Sequence, residues 1–175
     1  MIIKKTLSTN SGMWGIWDYN TFKYIDDYDK WADSFEEDAD IIKRIEDKSF
    51  APINIGGNGV FGFEVKFEEK LNDRESKYVL VSSEKYIIKI SESLKVSGIE
   101  YIGKDTKESN CITLELTKGL YSVKINLIDW KQEPNSVDSK GMPLPNSLPD
   151  FIIELNSIET ADFIANNNIK TFSPK

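Results

Sequence analysis

The sequence has no histidine and a single cysteine, Cys111. The first absence excludes Ser-His-Asp and Cys-His catalysis, HExxH zinc sites and imidazole proton shuttles. The second excludes disulfide scaffolds and zinc sites built from cysteine alone, and a lone thiol suits a reducing compartment. Long apolar runs are missing too. No window approaches ~18 apolar residues, so no segment is expected to span a membrane. At the start, Lys4 and Lys5 are followed by Ser8, Asn10, Ser11 and Gly12 rather than by an apolar stretch, which does not fit a signal peptide. A cytoplasmic location is therefore expected. Bases are scarce, with 22 Lys and Arg against 29 Asp and Glu and a pI near 4.8. That argues against nucleic acid as a partner, because phosphate neutralisation needs clustered Lys and Arg.

What is present suffices for a folded globule. The 175 residues are 39% hydrophobic and 11% aromatic. This length fits one domain with a proper core, spanning residues 1–175. The excess charge is confined to one stretch. Residues 18–47 hold eleven acids and four bases, which leaves 18 of each elsewhere. One reading is a solvated surface that keeps the protein soluble. The sharper reading is an acidic face for a basic partner, which would speed encounter and reject wrong partners. Its candidate contact residues are Asp26, Asp27, Asp29, Trp31, Asp33, Glu36, Glu37, Asp38 and Asp40. Calcium fits this stretch poorly. An EF-hand loop starting at Asp27 would need an acid where Trp31 stands, glycine where Ala32 stands and Glu where Asp38 stands.

Periodicity points to an all-β protein, mainly. Ser34 and Glu37 have capping-box spacing, and Ala39, Ile42 and Ile45 recur at helical spacing. One short acidic N-terminal helix over about 35–47 is predicted. Elsewhere the period is two. Strands are predicted at 12–18, 50–55, 61–67, 78–81, 86–90, 94–101, 112–116, 121–127 and 151–155. The stretch 72–77 reads as a loop, 131–149 as a long loop, 159–166 as a helical turn and 166–175 as a polar tail. Helical linkers between strands are missing, which disfavours βαβ units. The expectation is an antiparallel β-sandwich of about nine strands.

Three motifs fail on context. Gly57-Asn-Gly-Val-Phe-Gly62 spells G-x-G-x-x-G, but it runs into a strand and not into a helix whose N-terminus could face a pyrophosphate. A hairpin turn with glycines at positive φ explains it better. Cys111 has no histidine to activate it and reads as a bystander. Paired carboxylates could serve hydrolysis, but a sequence cannot show two acids converging. Trp14 and Trp17 lie three apart and so should face opposite sides of a strand, with one in the core. Trp130 falls out of phase with Ile125 and Leu127. It is either an exposed interface anchor or a residue packed under the long loop.

Two closing segments carry a resemblance. Lys118-Gly-Leu-Tyr-Ser-Val123, a long polar loop and then Leu148-Pro-Asp-Phe-Ile-Ile-Glu-Leu155 resemble the closing hairpin of small bacterial β-sandwich proteins. These are families of the toxin-immunity and competence nuclease-inhibitor type. The resemblance covers the last third of the chain and implies a protein that binds and blocks a partner. No catalytic residue carries over from it. The leading expectation is thus a non-enzymatic, immunity-type inhibitor that meets a basic toxin or nuclease with its acidic face. The alternative is a carbohydrate- or small-ligand-binding β-sandwich that uses its tryptophans and long loop. A carboxylate enzyme, with or without a divalent metal, would need at least two acids converging in a cleft with a raised or coupled pKa. No catalytic, cofactor or metal residue is assigned.

Overall fold

A computed structural model describes residues 1–173, so the last two positions of the predicted tail 166–175 lie outside the described residues. The protein is mainly β, with ten strands in two sheets among those residues. The larger sheet holds β1 (Ile2–Thr9), β4 (Gly59–Phe67), β5 (Val79–Ser82), β6 (Tyr86–Ile90), β9 (Gly119–Ile128) and β10 (Phe151–Ile158). Its order is β1-β4-β10-β9-β5, and β6 also pairs with β9, along the half that β5 leaves free. The smaller sheet runs β3 (Phe50–Asn54), β2 (Met13–Asp18), β7 (Ser93–Gly98), β8 (Cys111–Glu115).

The expected nine strands become ten because of β1. Its half-buried and buried positions are Ile3, Lys5, Leu7 and Thr9, and its outward positions begin with Ile2. Polar and apolar residues mix on both faces, so no alternation marks the strand. The expected antiparallel pattern is also incomplete. β10 lies parallel to β4, with Phe151 opposite Phe63 and Leu155 opposite Phe67. The chain builds five other strands between these two, so no single crossover helix is required.

The two sheets share one core. Trp14 of β2 reaches across to the larger sheet, where its ring centroid lies 5.1 Å from Phe61 and 5.2 Å from Phe63. Val65, Val123, Ile125 and Ile153 extend this apolar layer. Trp17 faces the other side of β2, as parity requires, yet both tryptophans are fully buried. Something must therefore cover the outer face of the smaller sheet, and the acidic segment does so.

That segment forms three helices instead of one. They are α1 (Tyr19–Phe22), α2 (Tyr28–Phe35) and α3 (Asp38–Glu46). Ser34 is no cap. It sits buried in the last turn of α2, with Oγ 2.8 Å from Tyr24 Oη and accepting from Arg44 Nη2 at 3.1 Å. A true capping box lies at Asn72 and Glu75 and starts α4 (Asp73–Lys77), where a loop was predicted. The predicted helical turn at 159–166 is irregular chain instead, which Asn166 N–H ties to Lys85 O. Farther on, Thr171 bridges to Asn54 and Phe172 is buried. The glycine-rich stretch makes no hairpin, because β3 and β4 lie in different sheets. It is the corner where the chain changes sheet. Of Gly56, Gly57, Gly59 and Gly62 only Gly56 has positive φ, at 69°.

A candidate protein-binding groove

Asp18 begins the acidic segment and is wholly buried. Its carboxylate accepts from Thr21 N–H and Oγ1, which caps α1, and from Ser91 N–H and Oγ. This first acid therefore anchors the segment and faces no partner. Phe22, Ile25, Phe35, Ile41 and Ile45 turn inward. Phe35 lies 5.2 Å from the rings of both Phe22 and Phe50. Gly15 makes room for this layer, since a Cβ there would stand 2.2 Å from Phe50 Cε2. Helical spacing then leaves most remaining acids on the solvent side.

Two links hold the start of the segment against the chain after β7. Ile25 O accepts from Lys104 N–H at 2.8 Å. Gly103 permits that approach, with φ at +148° and a would-be Cβ 2.6 Å from the same oxygen. Trp31 Nε1 donates to Ile99 O at 2.8 Å. Beside these links lies an open groove of about 610 Å³. Its apolar part comprises Ile25, Trp31, Tyr101 and Ile102, and its carboxylates are Asp26, Asp27, Glu100 and Asp105. One base, Lys107, also lines it. The Tyr28 ring stacks on Trp31 at 5.8 Å and 26° and is 65% exposed.

The electrostatics are ordered. The Lys30 ammonium, 2.5 Å from Asp26, holds the Asp26 carboxyl below its usual range and is itself raised by that contact. Tyr28 Oη donates to Glu36 Oε1 at 3.1 Å, and this bond pushes its phenol above its ordinary range. Asp27 caps α2 by accepting from Lys30 N–H. Glu100 is fixed by Thr9 Oγ1 and Asn10 N–H. The groove thus offers an aromatic stack ringed by carboxylates. Such a surface suits arginine or lysine side chains, which pair with carboxylates and lie over rings. Lys30 moves the Asp26 carboxyl away from the raised pKa that a general acid would need. Among the described residues no three acids gather in a metal-holding cluster.

The predicted contact residues separate into groups. Asp26, Asp27 and Trp31 line the groove. Asp29, Asp33, Glu36, Glu37 and Asp38 are exposed along α2 and the turn into α3, while Asp40 is half-buried. They flank the groove and do not line it. Trp31 is itself half-buried, so the more exposed ring is that of Tyr28. Trp130 is elsewhere. It is 8% exposed in a single turn after β9, with Nε1 donating to Asp150 Oδ1 at 2.7 Å, and it packs with Ile128, Leu148 and Ile152. It belongs to a second apolar cluster and is not an exposed anchor. Cys111 is buried beside Lys95 and Thr113.

Sequence reasoning missed Tyr28, Glu100, Tyr101 and Asp105. Tyr28 sits between Asp27 and Asp29, where only the acids drew notice. The others follow Gly98, where β7 ends and a short turn (Ile99–Tyr101) replaces the last residues of the strand predicted at 94–101. Nothing in the sequence pairs residues 100–105 with residues 25–31, because the Gly103 approach is a long-range fit.

No family model matches the chain, and no curated protein matches it in sequence. Solved structures do match it. The structure titled "Crocagin biosynthetic gene J" has a TM-score of 0.59 at 16% identity, over 90% of this chain and 97% of that one. The crystal structure of ComJ, inhibitor of the DNA degrading activity of NucA, from Bacillus subtilis, has a TM-score of 0.49 at 12% identity, over 90% and 99%. The second is of the nuclease-inhibitor type that the closing segments resemble. The first likeness establishes a shared fold, and at these identities neither carries a function across. Among the described residues no helix is long and apolar enough to cross a membrane.

Proposed function

We propose that this chain is a non-enzymatic protein-binding domain that blocks a basic partner by occupying the surface with which that partner holds its own anionic substrate. The observation that carries this reading is the groove, where Tyr28 and Trp31 stack between Asp26, Asp27 and Asp105. Rim acids from Asp29 to Asp40 would steer a basic protein in, and the rings would supply the desolvated contact that lengthens its stay. The closing-hairpin resemblance points to a bacterial toxin or nuclease as the partner class, met in the cytoplasm. The whole chain acts as one domain in this reading.

The test is affinity capture from the native source at low and high salt. The wild type is run beside a variant carrying Asp26→Asn, Asp29→Asn, Glu36→Gln and Asp105→Asn. A stoichiometric basic protein is expected on the wild type at low salt, released by high salt and lost from the variant. Its enzymatic activity should fall when the wild type is added back. Equal capture by both proteins, or none by either, would overturn the reading.

A further inference from the structure

A second cavity lies at the end of the larger sheet, where β4 and β10 begin and β9 ends. It holds about 380 Å³. Its wall is aliphatic and aromatic, from Ile55, Phe61, Leu80, Phe151 and Phe172. That volume is within the range of small-ligand pockets, as is an apolar well with a few polar groups at its mouth. Its charged side chains are Asp129, Lys131 and Asp150, and Asn58 adds an amide.

They are not equivalent. Asp150 already accepts from Trp130 Nε1 and from Gly62 N–H, both at 2.7 Å. These bonds fix it and Trp130 as a rigid corner of the wall. Lys131 holds its ammonium 5.5 Å from the Trp130 ring. Asp129 is half-buried, and its carboxylate has no hydrogen-bond or ion-pair partner among the described residues. It precedes the turn Trp130–Gln132 but leaves that turn without a side-chain cap. A half-buried carboxylate beside an apolar well, unused by its own backbone, is matched by a ligand cation.

We infer that this cavity is a second binding site, one that takes a small organic cation with an aryl or branched apolar body in the well and an ammonium group at Asp129. The two carboxylates outnumber the one lysine, so a cation is favoured over an anion of the same shape. The site is independent of the acidic groove, because it shares no lining residue with it.

The probe is 2-phenylethylamine, with 3-phenylpropionate as its anionic counterpart, titrated into the full chain by calorimetry and ligand-observed NMR. Saturable binding of the amine is expected and binding of the acid is not. Asp129→Asn should weaken the amine about tenfold, on the scale of one charge-assisted contact. Leu80→Trp should fill the well and abolish binding, with folding checked by circular dichroism. Should that variant misfold, Asp129→Asn still decides the matter, because it keeps the side-chain shape. No saturation with the wild type would overturn the inference. So would equal affinity for both probes, or binding that survives Asp129→Asn but is lost in the groove variant. Partner capture by the acidic groove should be unchanged in Asp129→Asn, so the two readings fail separately.

Discussion

The outer faces of the two sheets are covered in opposite ways. On the smaller sheet, α1 to α3 bury phenylalanine and isoleucine and turn most of their acids to water. On the larger sheet, charges are buried. Lys66 Nζ sits 2.7 Å from Glu75 and 3.7 Å from Glu64, and all three side chains are at most 5% exposed. Lys4 reaches Glu64 from the surface at 2.8 Å. Asn126 adds bonds to Ile152 O and Glu154. The same sequence thus covers one sheet by hydrophobic fit and the other by a polar network set beside the second apolar cluster of Ile128, Trp130, Leu148 and Ile152. The first arrangement frees its charges for an outside partner. The second consumes them internally, so they carry no signal to the surface.

The largest effect should come from breaking the apolar cover. Phe35→Ala removes a buried ring that touches Phe22, Trp31 and Phe50, and should cost about 3 to 5 kcal/mol. Chemical denaturation measures it. A cost below about 1 kcal/mol would mean that the acidic segment is only laid on the sheet. Next comes the polar cover. Lys66→Met removes the buried cation from Glu75 and leaves Glu64 to Lys4 alone, and should cost roughly 3 kcal/mol or more. Adding Glu75→Gln should restore much of it, since glutamine can keep the bond to Asn72 N–H. No recovery would show that the ion pair is not the reason for the loss.

The interior that both covers protect gives a pH test. Burial pushes the Tyr86 phenol from its ordinary 10 up to about 12. A raised folded pKa means that its contribution is complete below pH 10 and is lost as pH rises towards 12. Roughly 2 to 3 kcal/mol should fade over that window and be absent from the profile of Tyr86→Phe. A wild-type profile flat to pH 12 would contradict it. The smallest stability effect should come from the exposed charges. Asp29→Asn, Glu36→Gln and Asp105→Asn together should change stability by less than about 1 kcal/mol. The same changes should slow partner association and flatten its salt dependence. A large stability loss would mean that these acids hold the fold.

Much of the fold was legible because strands such as Phe61 to Phe67 alternate cleanly against one core. β1 was not, because Lys5 lies on its inward side. The parallel pairing of β10 with β4 was not, because no local pattern encodes which distant strand is a neighbour. The acidic segment stood out from charge alone, yet its division into three helices turns on caps at Asp18, which Ser91 also holds, and at Asp27, which a count of charges does not single out. Half of the groove was legible for the same reason: Asp26, Asp27 and Trp31 lie together in sequence. The other half, Glu100 to Asp105, joins them through the close approach of Gly103 to Ile25 and the Trp31 bond to Ile99 O, both long-range fits.

The most direct measurement is hydrogen exchange by mass spectrometry on the captured complex, compared with the free chain. If the acidic cover is the docking face, protection should rise in residues 26–36 and 100–107 and leave the larger sheet's outer face unchanged. Protection gathered over residues 68–78 and 129–150, with the groove still exchanging freely, would contradict the account.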